Sequence, residues 1–434
     1  MIGRTKLDVL ISPIDARRLV STLLNSPIAP GKYSHFINVG TDHILDALDQ
    51  NYFRGELADG IGCFKYLEGD YGSGKTQFIN SLARRASEQQ VVTALVTVGA
   101  ECPFNSPAAI FRAIMESFQP PVDEEGSDEK GIEVLIDSWI RKRIGQLGAE
   151  PGNDVPDLVQ RQIEDQIGGI WKGAPDPQMA AALTALSQRL LKTNCGAKEA
   201  VSDSELISWI RGDSVRSNAL KALGLFEPAR DDNAFRRLKT AIAFLRTRIA
   251  YRGFLIAFDE GTRTSSFRRG SAKQKQAIEN LLTMINQNAE GEFGGVMFLY
   301  AATPDFRSEV ISTYRALQDR IGTKAFSKGS PQVPLINIEE ANSEEVIQRI
   351  GERLLGVFSK AHGIDWDHAV QSVNMKAIIA AQKDLLFETP KPRFFVYQYC
   401  RFLDGQRKVQ HAISAEQASD FVNNNEPPME GDDA

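Results

Sequence analysis

The chain has 434 residues, which at about 150 residues per domain makes two or three domains. Hydrophobic residues are 42% and charged residues 24%; this ordinary soluble-globular balance excludes collagen, bulk disorder and a disulfide miniprotein. Fifty Lys+Arg against 56 Asp+Glu give a net charge of −6, which argues against a wholesale nucleic-acid coat but leaves room for a local basic surface.

Residues 1–60 read as a polar, helical N-terminal segment. Ser12 is an N-cap, Pro13 takes the first helical position, and Ile14, Leu19 and Leu23 recur near helical spacing before Pro27, Pro30 and Gly31. The N-terminus MIGRTKLDVL lacks the apolar stretch of a signal peptide. No apolar run reaches the roughly 20 residues of a membrane span. Cys63, Cys102, Cys195 and Cys400 form no C-x-x-C pair, so buried free thiols in a reducing cytoplasm are expected.

Five short apolar runs follow: 63–67, 91–98, 254–258, 296–302 and 333–338. None alternates cleanly with polar residues, and helical patterns separate them, so they predict a parallel α/β sheet covered on both faces. The core is interrupted: 61–119 is its first part and 233–340 its second, with a helical insertion at 120–232. Pro/Gly/acid clusters at 120–131, 149–157 and 172–178 mark loops of that insertion. Residues 341–422 predict a helical lid, and 423–434 a disordered acidic tail.

The segment Gly69-Asp70-Tyr71-Gly72-Ser73-Gly74-Lys75-Thr76 fits G-x-x-x-x-G-K-[ST] at every fixed position. Its glycines let backbone N–H groups turn inward on a β-phosphate, and the following helix presents its positive end to the same anion. Lys75 suits the β- and γ-phosphates, and the Thr76 hydroxyl suits Mg²⁺. The run Phe254–Phe258 ends in Asp259-Glu260. At the carboxyl edge of a parallel sheet, Asp259 is placed to hold the metal through water and Glu260 to polarise the attacking water. Thr303, at the tip of the fourth run, can contact the γ-phosphate or attacking water, or merely cap the turn into Pro304-Asp305. Arg320 and Arg393 are candidate γ-phosphate sensors, and either also suits a surface salt bridge. The ligand expected is ATP with Mg²⁺.

Between Asn233 and Ile278 stand eleven Lys/Arg and only Asp259 and Glu260 as acids, a local balance of +9. Nucleic-acid phosphate is one partner for such a field, and a solvated helix face gives the same pattern. The better candidate within it for DNA contact is the Gly/Ser-rich stretch 262–275.

The run from SPIDARRLVSTLL through HFINVGTDHILDAL to YLEGDYGSGKTQFI resembles the BREX phage-defence ATP-binding proteins of the BrxD type. ELISWIRGDSVRSNALKALGLF at 205–226 looks like that family's helical insert, and the Asp-Glu strand and Pro392-Arg393 helix match in order. The family is similar to AAA+ and origin-recognition-type P-loop ATPases. That likeness implies a five-stranded sheet with the sensor strand between the phosphate-loop and Asp-Glu strands, and a C-terminal helical lid. It implies ATPase activity within a cytoplasmic defence system, with a DNA methyltransferase, a phosphatase-like protein and a helicase as partners. Two other readings stay open, a nucleotide-dependent scaffold with negligible turnover and an origin-recognition-like DNA loader. A nucleotide-dependent oligomer is a further open outcome.

Overall fold

A computed structural model describes residues 11–25, 30–121, 129–152, 154–169, 171–196, 203–215, 218–260, 270–338, 343–386 and 391–425. The strands are β1 (Cys63–Glu68), β2 (Val92–Val98), β3 (Phe118–Gln119), β4 (Phe254–Glu260), β5 (Val296–Ala302) and β6 (Leu335–Asn337). They form one sheet in the order β3-β2-β4-β5-β1-β6. All pairings are parallel except β2 with β3.

The expected five strands are therefore present, and a sixth is added at one edge. Two residues are too few to show a period of two, so β3 had no signature in the sequence. β6 is shorter than its apolar run. Pro334 has no N–H to give the ladder, although its carbonyl accepts from Tyr66 N–H at 2.9 Å.

Because side chains alternate along a strand, each sheet face collects every second residue. Tyr66, Phe254, Ile256, Phe258, Phe298 and Tyr300 lie in one buried cluster. It also takes in α5 (Pro107–Ser117), α6 (Ile132–Gln146), α7 (Asp157–Ile167), α8 (Pro177–Asn194), α9 (Ser204–Arg211), α10 (Asn218–Ala222), α11 (Ala234–Thr247) and α12 (Ala272–Ala289). The helices between β3 and β4 thus share one core with the sheet. Leu67, Leu255, Ala257, Met297, Leu299 and Ala301 face the other way, against α3 (Asp42–Leu48), the π-helical stretch Asp49–Glu56 and α4 (Lys75–Glu88).

A third cluster belongs to the C-terminal helices α14 (Glu344–His362), α15 (His368–Leu386), α16 (Pro392–Gly405) and α17 (Ala415–Asn424). Leu19, Val20 and Leu23 of α1 (Pro13–Asn25) are buried within it. The N-terminal segment is therefore divided: α1 packs with the C-terminal helices, whereas α3 packs on the sheet. Between them, α2 (Ser34–Ile37) touches both α4 and α14. The short α13 (Arg315–Ile321) follows β5. Helix α17 runs to Asn424, so the first residues of the stretch expected as tail are helical; 426–434 lie outside the described residues.

Lys65 of β1 is fully buried and ties this edge together. Its ammonium donates to Tyr52 Oη at 3.0 Å, Pro331 O at 2.5 Å and Val333 O at 3.1 Å. Burial lowers its pKa from 10.5 to about 8. A base depressed on folding leaves the unfolded chain holding more protons between those values, so stability rises with pH there and is level below about 8. Thermal melts in alkaline buffers should show this rise in the wild type and a smaller one in Lys65→Met. Equal slopes would remove the buried ammonium from the account.

Candidate functional site

β1 delivers Gly69 to the carboxyl edge of the sheet, where its N–H donates to Ala302 O at 3.3 Å. A side chain at Gly69 would meet Ser73 Oγ at 2.5 Å and Ile338 Cγ1 at 2.7 Å, so the loop admits none there. Gly72 and Gly74 have φ of +79° and +101°, left-handed values that cost other residues strain. With these turns made, α4 starts at Lys75, and the N–H groups of its first turn are aligned along its positive end. Lys75 is buried, and its ammonium donates to Gly69 O at 2.7 Å and Asp70 O at 3.0 Å.

The second half of the site comes from β4. Because β5 lies between β1 and β4, the ends of β1 and β4 stand two strand spacings apart, about 10 Å. The first turn of α4 spans that gap: Thr76 Oγ1 donates to Asp259 Oδ2 at 2.5 Å. Burial pushes the Asp259 carboxyl up, opposed by the Thr76 hydrogen bond and the Lys75 charge. Glu260 is the next residue and closes β4 opposite Val98 of β2. Thr303 directly follows Ala302, the acceptor for Gly69 N–H, so it too lies at this edge.

Of the two arginines expected as γ-phosphate sensors, the structure brings only Arg393 to the loop. Its N–H donates to Gly72 O at 3.3 Å and its guanidinium lies 4.9 Å from the Tyr71 ring centre. Arg320 instead donates to Asn286 on α12 at 3.0 Å, in an exposed contact. Sequence reasoning missed four neighbours. Lys391, at the start of α16, pairs with Asp70 at 3.2 Å. Glu68, buried at the root of the loop, pairs with Arg307 at 2.5 Å. Gln77 donates to Ser34 O, while Arg353 of α14 reaches His35 O at 3.5 Å. Only the lysine had a sequence signal, standing two residues before Arg393.

The basic window is less free than its count. Arg236 and Arg237 both pair with buried Asp176, at 3.4 and 3.5 Å. Arg237 also lies 4.4 Å from the Trp209 ring centre. Lys239 pairs with Glu292, Arg246 donates to Ala58 O, and Arg248 to Ile167 O. Within the candidate DNA segment 262–275, residues 262–269 lie outside the described residues; Lys273 and Lys275 are exposed on α12.

Hard oxygen donors at Thr76 and Asp259 beside an N–H-lined loop suit Mg²⁺ bound chiefly through phosphate and water. Such a site needs no carboxylate cage, and no group of three or more His, Cys, Asp or Glu that could hold a metal ion occurs among the described residues. None of the described helices is long and apolar enough to cross a membrane.

A mostly parallel sheet with this loop and an acidic strand end is consistent with a P-loop ATPase. The chain belongs to the family of BREX system ATP-binding proteins BrxC/D, which it matches over residues 11–418. No curated protein and no solved structure matches it.

The raised Asp259 pKa carries a stability consequence. An acid whose folded pKa exceeds its unfolded one costs folding energy once ionised; the cost is absent below the unfolded pKa and full above the folded one. Asp259→Asn should therefore melt higher than wild type at neutral pH, with the gain fading as pH falls into the ordinary carboxylate range. A melting difference independent of pH would show that burial of the charge is not its origin.

Proposed function

We propose that this chain is an ATP-hydrolysing switch or motor of a BREX anti-phage defence system, built as an AAA+-like P-loop ATPase. The observation that carries the reading is the Thr76–Asp259 hydrogen bond of 2.5 Å, which joins the end of the glycine loop to the acidic strand tip. Gly69 to Thr76 would cradle the phosphates, with Lys75 on the β- and γ-phosphates. Thr76 would hold Mg²⁺ directly and Asp259 through water; the ion would neutralise charge developing on the transferred phosphoryl.

In this reading Glu260 polarises the attacking water, Thr303 contacts that water or the γ-phosphate, and Arg393 couples nucleotide state to the C-terminal helices. The exposed Arg320 suits a role toward a second copy, since an arginine finger can be supplied in trans. The family supports partners among other BREX components, which we take to be a DNA methyltransferase, a phosphatase-like protein and a helicase, with the cytoplasm as the site of action. DNA contact through 262–275 and nucleotide-dependent oligomerisation belong to the same proposal. The helices within 120–232 are read as an insertion that carries motion of the ATPase core outward.

Phosphate release and nucleotide binding test the reading together. Lys75→Ala should lose ATP binding or turnover. Glu260→Gln should bind ATP but lower turnover by about 100-fold or more, the scale of a lost general base. Unchanged phosphate release in Glu260→Gln would sink the base assignment. ATP-dependent change of size with background release in the wild type would replace the motor by a scaffold. Binding to DNA should weaken as salt rises, and no binding at low salt would remove DNA from the proposal.

A further inference from the structure

Asp70 gathers two ammonium groups. Its carbonyl accepts from Lys75 Nζ at 3.0 Å, and its carboxylate pairs with Lys391 Nζ at 3.2 Å. Lys391 is the N-cap of α16, and no side chain caps that helix. Two residues onward, the Arg393 N–H donates to Gly72 O and its guanidinium lies over Tyr71. A Cβ built on Gly72 would sit 3.7 Å from Lys391 Cβ and 3.6 Å from Arg393 Cβ, so the backbone of α16 runs directly against the loop. Asp70, Tyr71 and Gly72 thus receive the C-terminal helices.

Resting on the reading of this loop as an ATP site, we propose that Lys391 is a second phosphate-contacting cation supplied by the C-terminal helices, held within reach by Asp70 and moved onto the terminal phosphate when ATP binds. Lys75 marks which end of the nucleotide is meant. In a loop of this kind its ammonium reaches the β- and γ-phosphates, and here that ammonium is bonded to Asp70 itself.

The energetics favour exchange. The Asp70–Lys391 pair has side chains 48% and 33% exposed, and ion pairs so open to solvent are weak. A polyanionic triphosphate in a cradle shielded by α16 offers a stronger charge-assisted bond, and the positive end of α16 adds to it. Asp70 has a distinct task. It offsets the repulsion of Lys75 for Lys391 and Arg393, so the three cations can converge.

The test is a titration of the full chain with fluorescent mant-ATP and mant-ADP in Mg²⁺, at low and high salt. Lys391→Gln should weaken mant-ATP binding by roughly tenfold, the size of one charge-assisted contact, with a much smaller loss for mant-ADP. Lys391→Arg should restore the discrimination between the two nucleotides. Melting without nucleotide should be unchanged in both variants. Asp70→Asn combined with Lys391→Gln should cost less than the sum of the single losses, because the two side chains act as a unit. Wild-type affinity in Lys391→Gln, or equal loss of both nucleotides, would overturn the proposal while leaving the ATP site standing. A wild type that binds no mant-ATP would overturn the ATP site and this proposal with it.

Discussion

The position of β5 between β1 and β4 is the constraint on which the site depends. It sets the Gly69 loop and Asp259 two strands apart at the same carboxyl edge, a gap that the first turn of α4 can span with one short side chain. Were β1 and β4 adjacent, Thr76 and Asp259 would crowd; one strand further, a threonine would not reach. Parallel pairing, with both faces buried, makes the register rigid. Slipping β5 by one residue would turn Leu299 and Tyr300 to the wrong faces.

Around that frame the chain closes on itself in an order its sequence does not follow. Helix α1 leaves the N-terminal segment and joins α14, α16 and α17, so the core of the C-terminal helices is made from both ends of the chain. Helix α2 lies between α4 and α14, bonded to Gln77 on one side and Arg353 on the other. Helix α14 is thereby linked, through α2, to the residue that follows Thr76. At the other side of the loop, Lys391 and Arg393 attach α16 to Asp70, Tyr71 and Gly72. The glycine loop is gripped from two directions by elements that share one hydrophobic core.

Much of this was legible in the residues. All five apolar runs became strands because burial on both faces leaves a continuous hydrophobic signature. The glycines of the loop were legible because positive φ at Gly72 and Gly74 and close approach at Gly69 leave no alternative residue. β3 was not legible, since two residues carry no pattern, and neither was the Glu68–Arg307 pair, whose partners are distant in sequence. Arg393 and Arg320 were both candidate sensors by type and context, Arg393 the stronger, and the packing of α16 brings only Arg393 to the loop.

The +9 window shows the same division from another side. Its composition is a property of the sequence alone, but Asp176, Glu292 and backbone carbonyls from elsewhere consume much of it. By itself the sequence determined the strands, the glycine loop and the acidic strand tip, because each rests on local geometry or on a run of like residues. Tertiary structure alone decided which charges are spent, which arginine meets the loop, and that Lys391 stands beside it. Those outcomes follow from contacts between segments 53 to 321 residues apart, and an ion pair forms where folding brings its two partners together, leaving no mark on either segment read alone.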